Sequence, residues 1–498
     1  MEKNNSRKKN ILKNVICGVG FRSVGVIFPF IIKTTIIINL GAEYLGLNSL
    51  FTSILTVMSL SELGVGSALV YHMYKPIAEG NVSEVNKLLN LYKIIYRLIG
   101  TVILLIGIIL LPFLKHLITG EVPEEINIYL IFLMYLLDTV ISYFFSYKSS
   151  ILEANQNNGI ENIIHTFTNI IMYIGQILML YLTRSYYVYL IFLPVCTLLL
   201  NIMRNRYVDR IYPQYKCNGK PEKTEIKSIF NKVKSLIGHK IGTVVITSVD
   251  NIVISMFLGL NILAMYGNYY MIISAVIAFV TIFYTSSLAS IGNSLVQDND
   301  KKIYETFEKM NSLNCWIVGM CTVCLFCLYQ PFMKLWMGQK WMFNDLVVIL
   351  LCIYFYTWMI RRMGLTYKDA AGLWEADFWK PYIGVTVDLI ANIILIKYIG
   401  ITGVIIATIM VMVLIYFPWE THIVFRDIFK KSSKKYCRNI FIFSLVTVLN
   451  CILTQHVCQL IYMNSIIGFI LKGIVCVITT NIIYFLFYIK KIKKFIHS

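Results

Sequence analysis

Apolar residues occur along this chain in long runs that short polar segments separate, and the pattern continues from end to end. A helix that crosses the hydrocarbon core of a bilayer needs about 20 mostly apolar residues. Fourteen runs reach or approach that length, so we predict an all-α polytopic membrane protein with about fourteen transmembrane helices. The predicted spans are residues 15–40, 44–73, 91–114, 126–147, 160–181, 186–203, 236–257, 262–296, 312–333, 345–360, 382–398, 402–418, 439–460 and 465–489.

The composition excludes an ordinary soluble protein. Hydrophobic residues make up 57% of the 498 residues, and charged residues make up only 14%. Soluble domains carry about 25% charged residues. The chain is therefore long enough, and apolar enough, for one large bundle of membrane helices.

Positive charge dominates, with a formal net charge of +19. In a soluble protein this value would favour a nucleic-acid partner, but cytoplasmic loops of membrane proteins also collect Lys and Arg. Of the 45 Lys and Arg residues, 37 fall on the side of the predicted membrane that holds the N-terminus, and five fall on the other side. We therefore predict that both termini are cytoplasmic, and we expect no nucleic-acid partner.

A polar and basic segment near the middle of the chain is the natural linker between two halves. We predict two lobes of six helices each, a cytoplasmic loop between them and two additional helices. Their bounds are 1–203 for the N-terminal lobe, 204–235 for the loop, 236–418 for the C-terminal lobe and 439–489 for the additional helices.

The two halves show a weak internal repeat. A shift of 218 residues places the pair Leu40-Gly41 on Leu258-Gly259 and places Asn81 on Asn299. The first and seventh spans both run from inside to outside, so the repeats have the same orientation. Transporters are commonly built from such repeats, with the substrate path between them.

Two cations lie inside the first predicted span, where a charge costs about 2.5–3.5 kcal/mol on insertion scales. Arg22 and Lys33 are eleven residues apart, which is three helical turns plus about 20°, so both project from one face. Together they would suit an anionic group such as a diphosphate or an acidic sugar. The alternative is that each long side chain snorkels to the headgroups.

The seventh span repeats the eleven-residue spacing with His239 and Asp250, and Lys240 stands beside His239. We assign His239 and Lys240, with the two first-span cations, to a substrate-binding cationic cavity. Asp250 is too short to snorkel, which makes it a candidate counter-ion or titratable coupling group. For Lys240 the alternative is a loop charge at the inner membrane edge.

A carboxylate, Glu62, stands in the second span among the small residues Ser59, Ser61, Gly64, Gly66, Ser67 and Ala68. Small residues let helices approach closely or leave room for a ligand. Glu62 would pair with Arg22 or carry a proton, and the alternative is a buried ion pair that serves only packing. Asp138 and Asp388, in the fourth and eleventh spans, are further candidates for ion coupling.

Enzyme motifs are absent from the sequence. The chain has no Gly-rich loop ending in Lys-Ser or Lys-Thr and no HExxH motif, so we predict a non-enzymatic protein without a cofactor. Cys321, Cys324 and Cys327 resemble an iron–sulfur run but lack a fourth cysteine nearby. Because they lie within a continuous apolar span, we interpret them as ordinary helix residues and expect no metal.

Two stretches resemble the bacterial Wzx-type flippases for capsule and O-antigen polysaccharides, within the multidrug/oligosaccharidyl-lipid/polysaccharide (MOP) exporter superfamily. One is Leu40–Pro76, with LGAEYLGLNSLF, SLSELGVGSALVY and YKP. The other is Ala370–Thr408, with AAGLWEADFWKPYI and LIKYIGITGVIIAT. The resemblance implies a MATE/MurJ-like bundle of two six-helix lobes and two extra helices, in the bacterial plasma membrane.

The resemblance also implies a function. Such flippases move an undecaprenyl-diphosphate-linked oligosaccharide from the inner to the outer leaflet through a central cationic cavity, by alternating access. Its partners would be that lipid-linked oligosaccharide and membrane lipids, with the polymerase and glycosyltransferases of the pathway as further candidates. The alternatives are a MATE-type multidrug/cation antiporter, which the cations of the first span disfavour, and a membrane polysaccharide polymerase or ligase, which the short outer loops disfavour.

Overall fold

The computed structural model describes residues 24–62, 64–120, 122–461 and 465–496, without the side chains of residues 61, 158, 223, 225, 228, 230–245 and 488–496. Within these ranges the chain is almost entirely helical and contains no β-strand, so the predicted all-α fold is confirmed. Two compact units, Met1–Ala264 and Met265–Ser498, divide the chain. The lobe bounds given above stay a prediction.

The first unit contains the following α-helices, with short 3₁₀ helices at Ser59–Glu62, Leu111–Leu117 and Ser146–Lys148. They are α1 (Val24–Asn39), α2 (Ala42–Met58), α3 (Val65–Ala78), α4 (Val82–Leu110), α5 (Ile128–Phe145), α6 (Ser149–Ala154), α7 (Asn158–Thr183), α8 (Tyr186–Ile211) and the first part of α9 (Lys223–Gln297).

The second unit begins within α9 and also contains 3₁₀ helices at Gln339–Trp341 and Glu375–Asp377 and π-helical turns at Met412–Tyr416 and Val424–Phe429. Its other α-helices are α10 (Asp300–Trp336), α11 (Asp345–Ile360), α12 (Arg362–Ala370), α13 (Lys380–Ile399), α14 (Ile401–Val411), α15 (Phe417–Ile423), α16 (Lys434–Gln459) and α17 (Ile466–Ile496).

The number of spans follows from helix length. In the described part of the chain, eleven helices are long and apolar enough to cross a membrane. One of them, Ile246–Gln297, has 52 residues and would measure about 78 Å, more than twice the hydrocarbon thickness of about 30 Å. Non-helical backbone at Gly259 breaks it into two spans. With α1 and the broken pair α2–α3, the count reaches the predicted fourteen.

The outer surfaces of these helices are apolar. Leu105, Ile109, Leu182 and Ile467 are exposed by 55–69%, and soluble monomers rarely expose large apolar patches. Helices satisfy their own backbone hydrogen bonds, which allows such surfaces to face lipid.

Backbone geometry supports the 218-residue shift. Gly41, between α1 and α2, has φ 119° and ψ 172°, and Gly259 in α9 has φ 84° and ψ 177°. Both values of φ are positive, a conformation that glycine adopts without steric cost. Asn81 and Asn299 are the N-caps of α4 and α10, and each side chain accepts a hydrogen bond from the backbone N–H three residues later.

Equivalent positions also make equivalent contacts within each unit. The hydroxyl of Tyr96 lies close to Gly66 in the first unit. The same shift relates these positions to Asn314 and Tyr284, and in the second unit the Tyr284 hydroxyl donates to Asn314 Oδ1 at 2.5 Å. In the first unit the tyrosine belongs to the second helix of the pair, α4, and in the second unit it belongs to the first helix of the pair, α9. In both units the contact joins equivalent helices, α3 to α4 and α9 to α10.

Candidate functional site

A break between α2 and α3 creates a polar site in the described part of the first unit. Helix α2 ends at Met58, a 3₁₀ turn ends at Glu62, and Gly64 adopts φ 96° and ψ −18° before α3 begins. Only glycine takes this left-handed conformation cheaply. Broken backbone inside a membrane bundle is tolerated where protein or a water-filled cavity satisfies it, so the break marks a place for a polar site.

Glu62 is held by two tyrosines at this break. The Tyr96 hydroxyl of α4 donates to Glu62 Oε1 at 2.5 Å, and the Tyr143 hydroxyl of α5 donates to Oε2 at 2.6 Å. Hydrogen bonds to a charged group contribute about 1.5–3 kcal/mol each. Both carboxylate oxygens are therefore fixed between two helices, and the carboxylate is half-buried.

The glycine cluster makes room for these tyrosines. A Cβ atom added at Gly66 would lie 2.6 Å from the Tyr96 hydroxyl and 3.0 Å from the Tyr92 hydroxyl. The rings of Tyr92 and Tyr96 pack together with centroids 4.2 Å apart. Gly64 thus permits the break, and Gly66 permits the aromatic rings to reach the carboxylate.

A cavity of about 390 Å³ opens beside the carboxylate. Each residue that lines it is a glycine or carries a hydroxyl or carboxyl group, in a chain that is 57% hydrophobic. The lining residues are Glu62, Gly64, Gly66, Ser67, Tyr92, Tyr96, Ser146, Ser149 and Glu153. Such a lining suits water, a proton or a small cation, and the hydroxyl groups suit a hydroxyl-rich ligand.

Two other predicted carboxylates of the first unit have separate surroundings. Thr197 donates from Oγ1 to Asp138 Oδ1 at 2.5 Å, which joins α8 to α5. Asp250 is buried in α9 with 2% exposure. Its neighbour Asn251 donates to Ser53 Oγ of α2 at 2.9 Å, so a side-chain hydrogen bond joins α9 to α2 next to Asp250.

The predicted carboxylate of the second unit is also buried. Asp388 lies in α13 with 1% exposure. Its Oδ2 accepts a hydrogen bond from Asn392 Nδ2, one turn later, at 3.1 Å. A buried carboxylate with a polar neighbour inside a span is a functional candidate, and the ion-coupling role stays a prediction.

The predicted cationic cavity is largely beyond what the structure describes. Arg22 lies outside the described residues, and His239 and Lys240 lie in α9 with side chains outside the described part. Lys33 is described and is half-buried on α1. The joint role of these four residues therefore stays a prediction.

The sequence interpretation missed a buried ion network in the second unit. Arg361 Nη1 donates to Glu420 Oε1 at 2.6 Å, and Lys380 Nζ donates to the same oxygen at 2.8 Å. Lys380 and Lys368 each donate to Asp377 Oδ2 at 2.6 Å. All five side chains are at most 8% exposed. We name these five residues the unit 2 ion network.

One signal for this network was present in the sequence. Asp377 and Lys380 belong to AAGLWEADFWKPYI, and Glu420 is a carboxylate inside an apolar run. The predicted spans end at residue 360 and resume at residue 382, so they place residues 361–380 in a loop, because hydropathy does not show whether a charge is buried. In the structure this segment contains α12 and a 3₁₀ turn.

A family model described as "Polysaccharide biosynthesis protein" matches residues 40–344, which is more than half of the chain. No curated protein sequence matches the chain.

Solved structures with the same fold cover most of the chain. The lipid II flippase MurJ, in an inward closed conformation, aligns with a TM-score of 0.66 and 15% identity over 96% of this chain and 99% of MurJ. An inward-facing MATE multidrug transporter of the MOP superfamily aligns with a TM-score of 0.62 and 16% identity over 81% of this chain and 95% of the transporter. The Vibrio cholerae MATE transporter VcmN aligns with a TM-score of 0.55 and 13% identity over 82% of this chain and 96% of VcmN. The chain therefore has the MurJ/MATE fold.

Proposed function

The chain belongs to the polysaccharide biosynthesis protein family, and on that premise we propose that it is a flippase for an undecaprenyl-diphosphate-linked oligosaccharide. The cargo moves from the inner to the outer leaflet for the synthesis of capsular or other cell-surface polysaccharide, by alternating access. The family match over residues 40–344 carries this proposal. The fold shared with a lipid II flippase supports a lipid-linked cargo. No covalent bond changes, so the proposal assigns no catalytic residue.

The proposed location is the bacterial plasma membrane, with both termini in the cytoplasm. The excess of Lys and Arg in alternate loops supports this orientation. The lipid-linked oligosaccharide and membrane lipids are the proposed partners, and the polymerase and glycosyltransferases of the pathway would act before and after this step.

The experiment is a flipping assay. The purified chain is placed in vesicles that contain a fluorescent undecaprenyl-diphosphate oligosaccharide, and a membrane-impermeant quencher is added outside. Without flipping, the quencher reaches only the labelled lipid in the outer leaflet. A flippase brings lipid from the inner leaflet into reach, so the quenched fraction of the label rises towards 100%. If the protein exposes no additional label but drives a cationic dye across the same vesicles, the multidrug antiporter is the correct function and our proposal is wrong.

The positive charges of Arg22, Lys33 and Lys240 would neutralise the diphosphate during crossing, and the ring of His239 would donate a hydrogen bond to it. An anionic head group needs such compensation, because an unpaired charge in a low-dielectric interior is expensive. We expect Lys33→Ala to slow flipping roughly tenfold or more, since a hydrogen bond to a charged group contributes about 1.5–3 kcal/mol. The initial rate in the flipping assay measures this effect.

Two variants control the test of Lys33. Lys33→Arg keeps the charge and should retain most of the rate. Lys75→Ala removes a lysine whose side chain is 83% exposed, so it should leave the rate unchanged. Wild-type flipping by Lys33→Ala, at equal protein content in the vesicles, would exclude Lys33 from the cargo path.

Coupling to a proton or sodium gradient would use the intramembrane carboxylates Glu62, Asp138, Asp250 and Asp388. Glu62 is the strongest candidate because its oxygens face a polar cavity and are held by Tyr96 and Tyr143. A carboxylate in this position binds a proton or a small cation when the neighbouring helices shift.

We expect Glu62→Gln to lower gradient-driven flipping about tenfold and to remove its dependence on the gradient. Glutamine has nearly the same shape but carries no charge, and its amide nitrogen cannot accept a hydrogen bond from a tyrosine hydroxyl. The flipping rate is measured with and without an imposed proton or sodium gradient. Glu79→Gln, at an exposed position, is the matched control. A normal gradient response in Glu62→Gln would assign the coupling to another carboxylate.

A further inference from the structure

Cysteines from three helices meet inside the second unit. Cys327 of α10, Cys458 of α16 and Cys476 of α17 are 0–3% exposed, and their Sγ atoms all lie within 4.8 Å of one another. The sulfur atoms of Cys458 and Cys476 are 3.6 Å apart. We name these three residues the thiol triad.

Two more cysteines belong to the same core. Cys451 is part of the buried cluster around the triad, and Cys324 packs against it from the side. Cys324 and Cys327 lie on one face of α10, three residues apart, and Cys451 and Cys458 lie on one face of α16, two turns apart. We interpreted Cys324 and Cys327 from the sequence as ordinary helix residues. In the structure they lie on the face of α10 that packs against α16 and α17.

We propose that the thiol triad is a binding site for a soft monovalent metal ion, Cu(I). Three sulfur ligands placed about 2.3 Å from a central ion in a trigonal plane lie about 4.0 Å from one another. The separations in the triad, 3.6 Å for one pair and less than 4.8 Å for all, bracket this value.

The ligand set selects the ion. Structural zinc sites are almost always four-coordinate, whereas among the described residues only these three sulfur atoms of the core lie within 4.8 Å of one another, and no imidazole or carboxylate joins them. Soft thiolate ligands favour Cu(I), Zn²⁺ and iron–sulfur clusters, and of these only Cu(I) is commonly three-coordinate. A monovalent ion also suits a three-ligand site that has no hard oxygen donor.

A lysine in the last span compensates part of the charge of this site. Ligation removes a proton from each thiol that binds as a thiolate, so the loaded site is anionic. Lys472 precedes Cys476 by four residues, which places both on one face of α17. The Lys472 carbonyl lies 3.8 Å from Cys458 Sγ. The positively charged side chain of Lys472 therefore starts next to the thiol triad. Charge compensation at the triad would be the role of this intramembrane lysine.

The test is a Cu(I) titration of the full-length protein in detergent, under reductant, against a chromophoric Cu(I) chelator. We expect one Cu(I) per chain, with X-ray absorption showing a first shell of three sulfur atoms. Cys458→Ser and Cys476→Ser should each weaken binding at least about 100-fold. Cys196→Ser replaces a buried cysteine of the first unit and should bind like wild type. Equal affinity in Cys458→Ser and wild type, or a shell of nitrogen and oxygen, would overturn the site.

A second measurement uses the wild-type protein and does not depend on how the variants fold. The protein is alkylated in slowly increasing denaturant with and without Cu(I), and each cysteine is quantified by mass spectrometry. We expect Cu(I) to delay alkylation of the three triad cysteines and to leave Cys437 and Cys217 unaffected, since both lie outside the triad and are only half-buried. Equal protection of all cysteines, or of none, would show that the triad packs as apolar side chains without a metal.

Discussion

Replacing Glu420 with alanine is expected to destabilise the second unit by about 3–5 kcal/mol, the usual cost of removing one partner from a buried ion pair. Glu420 accepts from Arg361 and from Lys380. An arginine side chain does not lose its proton in proteins, so Arg361 would stay charged at 6% exposure. The rings of Trp358 and Tyr416, 5.4 and 5.2 Å from its guanidinium, would be its remaining partners. Thermal unfolding in detergent, followed by tryptophan fluorescence, measures the loss.

Two variants show whether the stranded charge causes this loss. Glu308→Ala breaks a partly exposed pair with Lys435 and should cost only about 0–1 kcal/mol. The double variant Arg361→Met/Glu420→Leu removes both charges of the pair and should recover most of the stability, because apolar replacements of buried pairs are often neutral. A Glu420→Ala protein as stable as Glu308→Ala would mean that water or an anion compensates Arg361.

Gly46→Ala is expected to destabilise the first unit by at least about 1–3 kcal/mol, the usual cost of overpacking a core. A Cβ atom at this position of α2 would lie 2.3 Å from the backbone carbonyl oxygen of Leu260 in α9. A backbone atom cannot rotate away as a side chain can, so the helices would have to separate. The same thermal unfolding measurement detects the change.

The matched control for Gly46 is another glycine of a helix interior. Gly292 of α9 has no atom within 4 Å of its added Cβ, and alanine there should stabilise the helix by roughly 0.5–1 kcal/mol. The two Gly→Ala variants are therefore expected to shift the unfolding temperature in opposite directions. Equal shifts would show that helix propensity outweighs the close approach at Gly46.

Several features of the fold could be predicted from the sequence because their causes are local. A membrane span needs a run of apolar residues, and each run lies in one continuous segment. The Leu-Gly pairs at residues 40–41 and 258–259 were recognisable because a positive φ requires glycine at that point of the chain. Glu62 was found for a similar reason, since a carboxylate in an apolar run is costly wherever its partner lies.

The partners of these residues could not be predicted. Glu62 bonds to tyrosines 34 and 81 residues away, and Glu420 bonds to an arginine 59 residues away. A tyrosine in a span has no pattern that separates a ligand-facing hydroxyl from a lipid-facing ring. The unit 2 ion network was missed because the lysines of residues 361–380 look like ordinary loop charges until their burial is known.

By itself, therefore, the sequence determined the class of protein, the number of spans, the turn glycines and the costly intramembrane charges. Only the tertiary structure decided that Tyr96 and Tyr143 hold Glu62, that five charged side chains form one buried network, and that cysteines from three helices meet. The physical reason is that helix formation and membrane insertion depend on neighbours along the chain, whereas ion pairs, tyrosine–carboxylate bonds and thiol clusters depend on which faces of distant helices pack together.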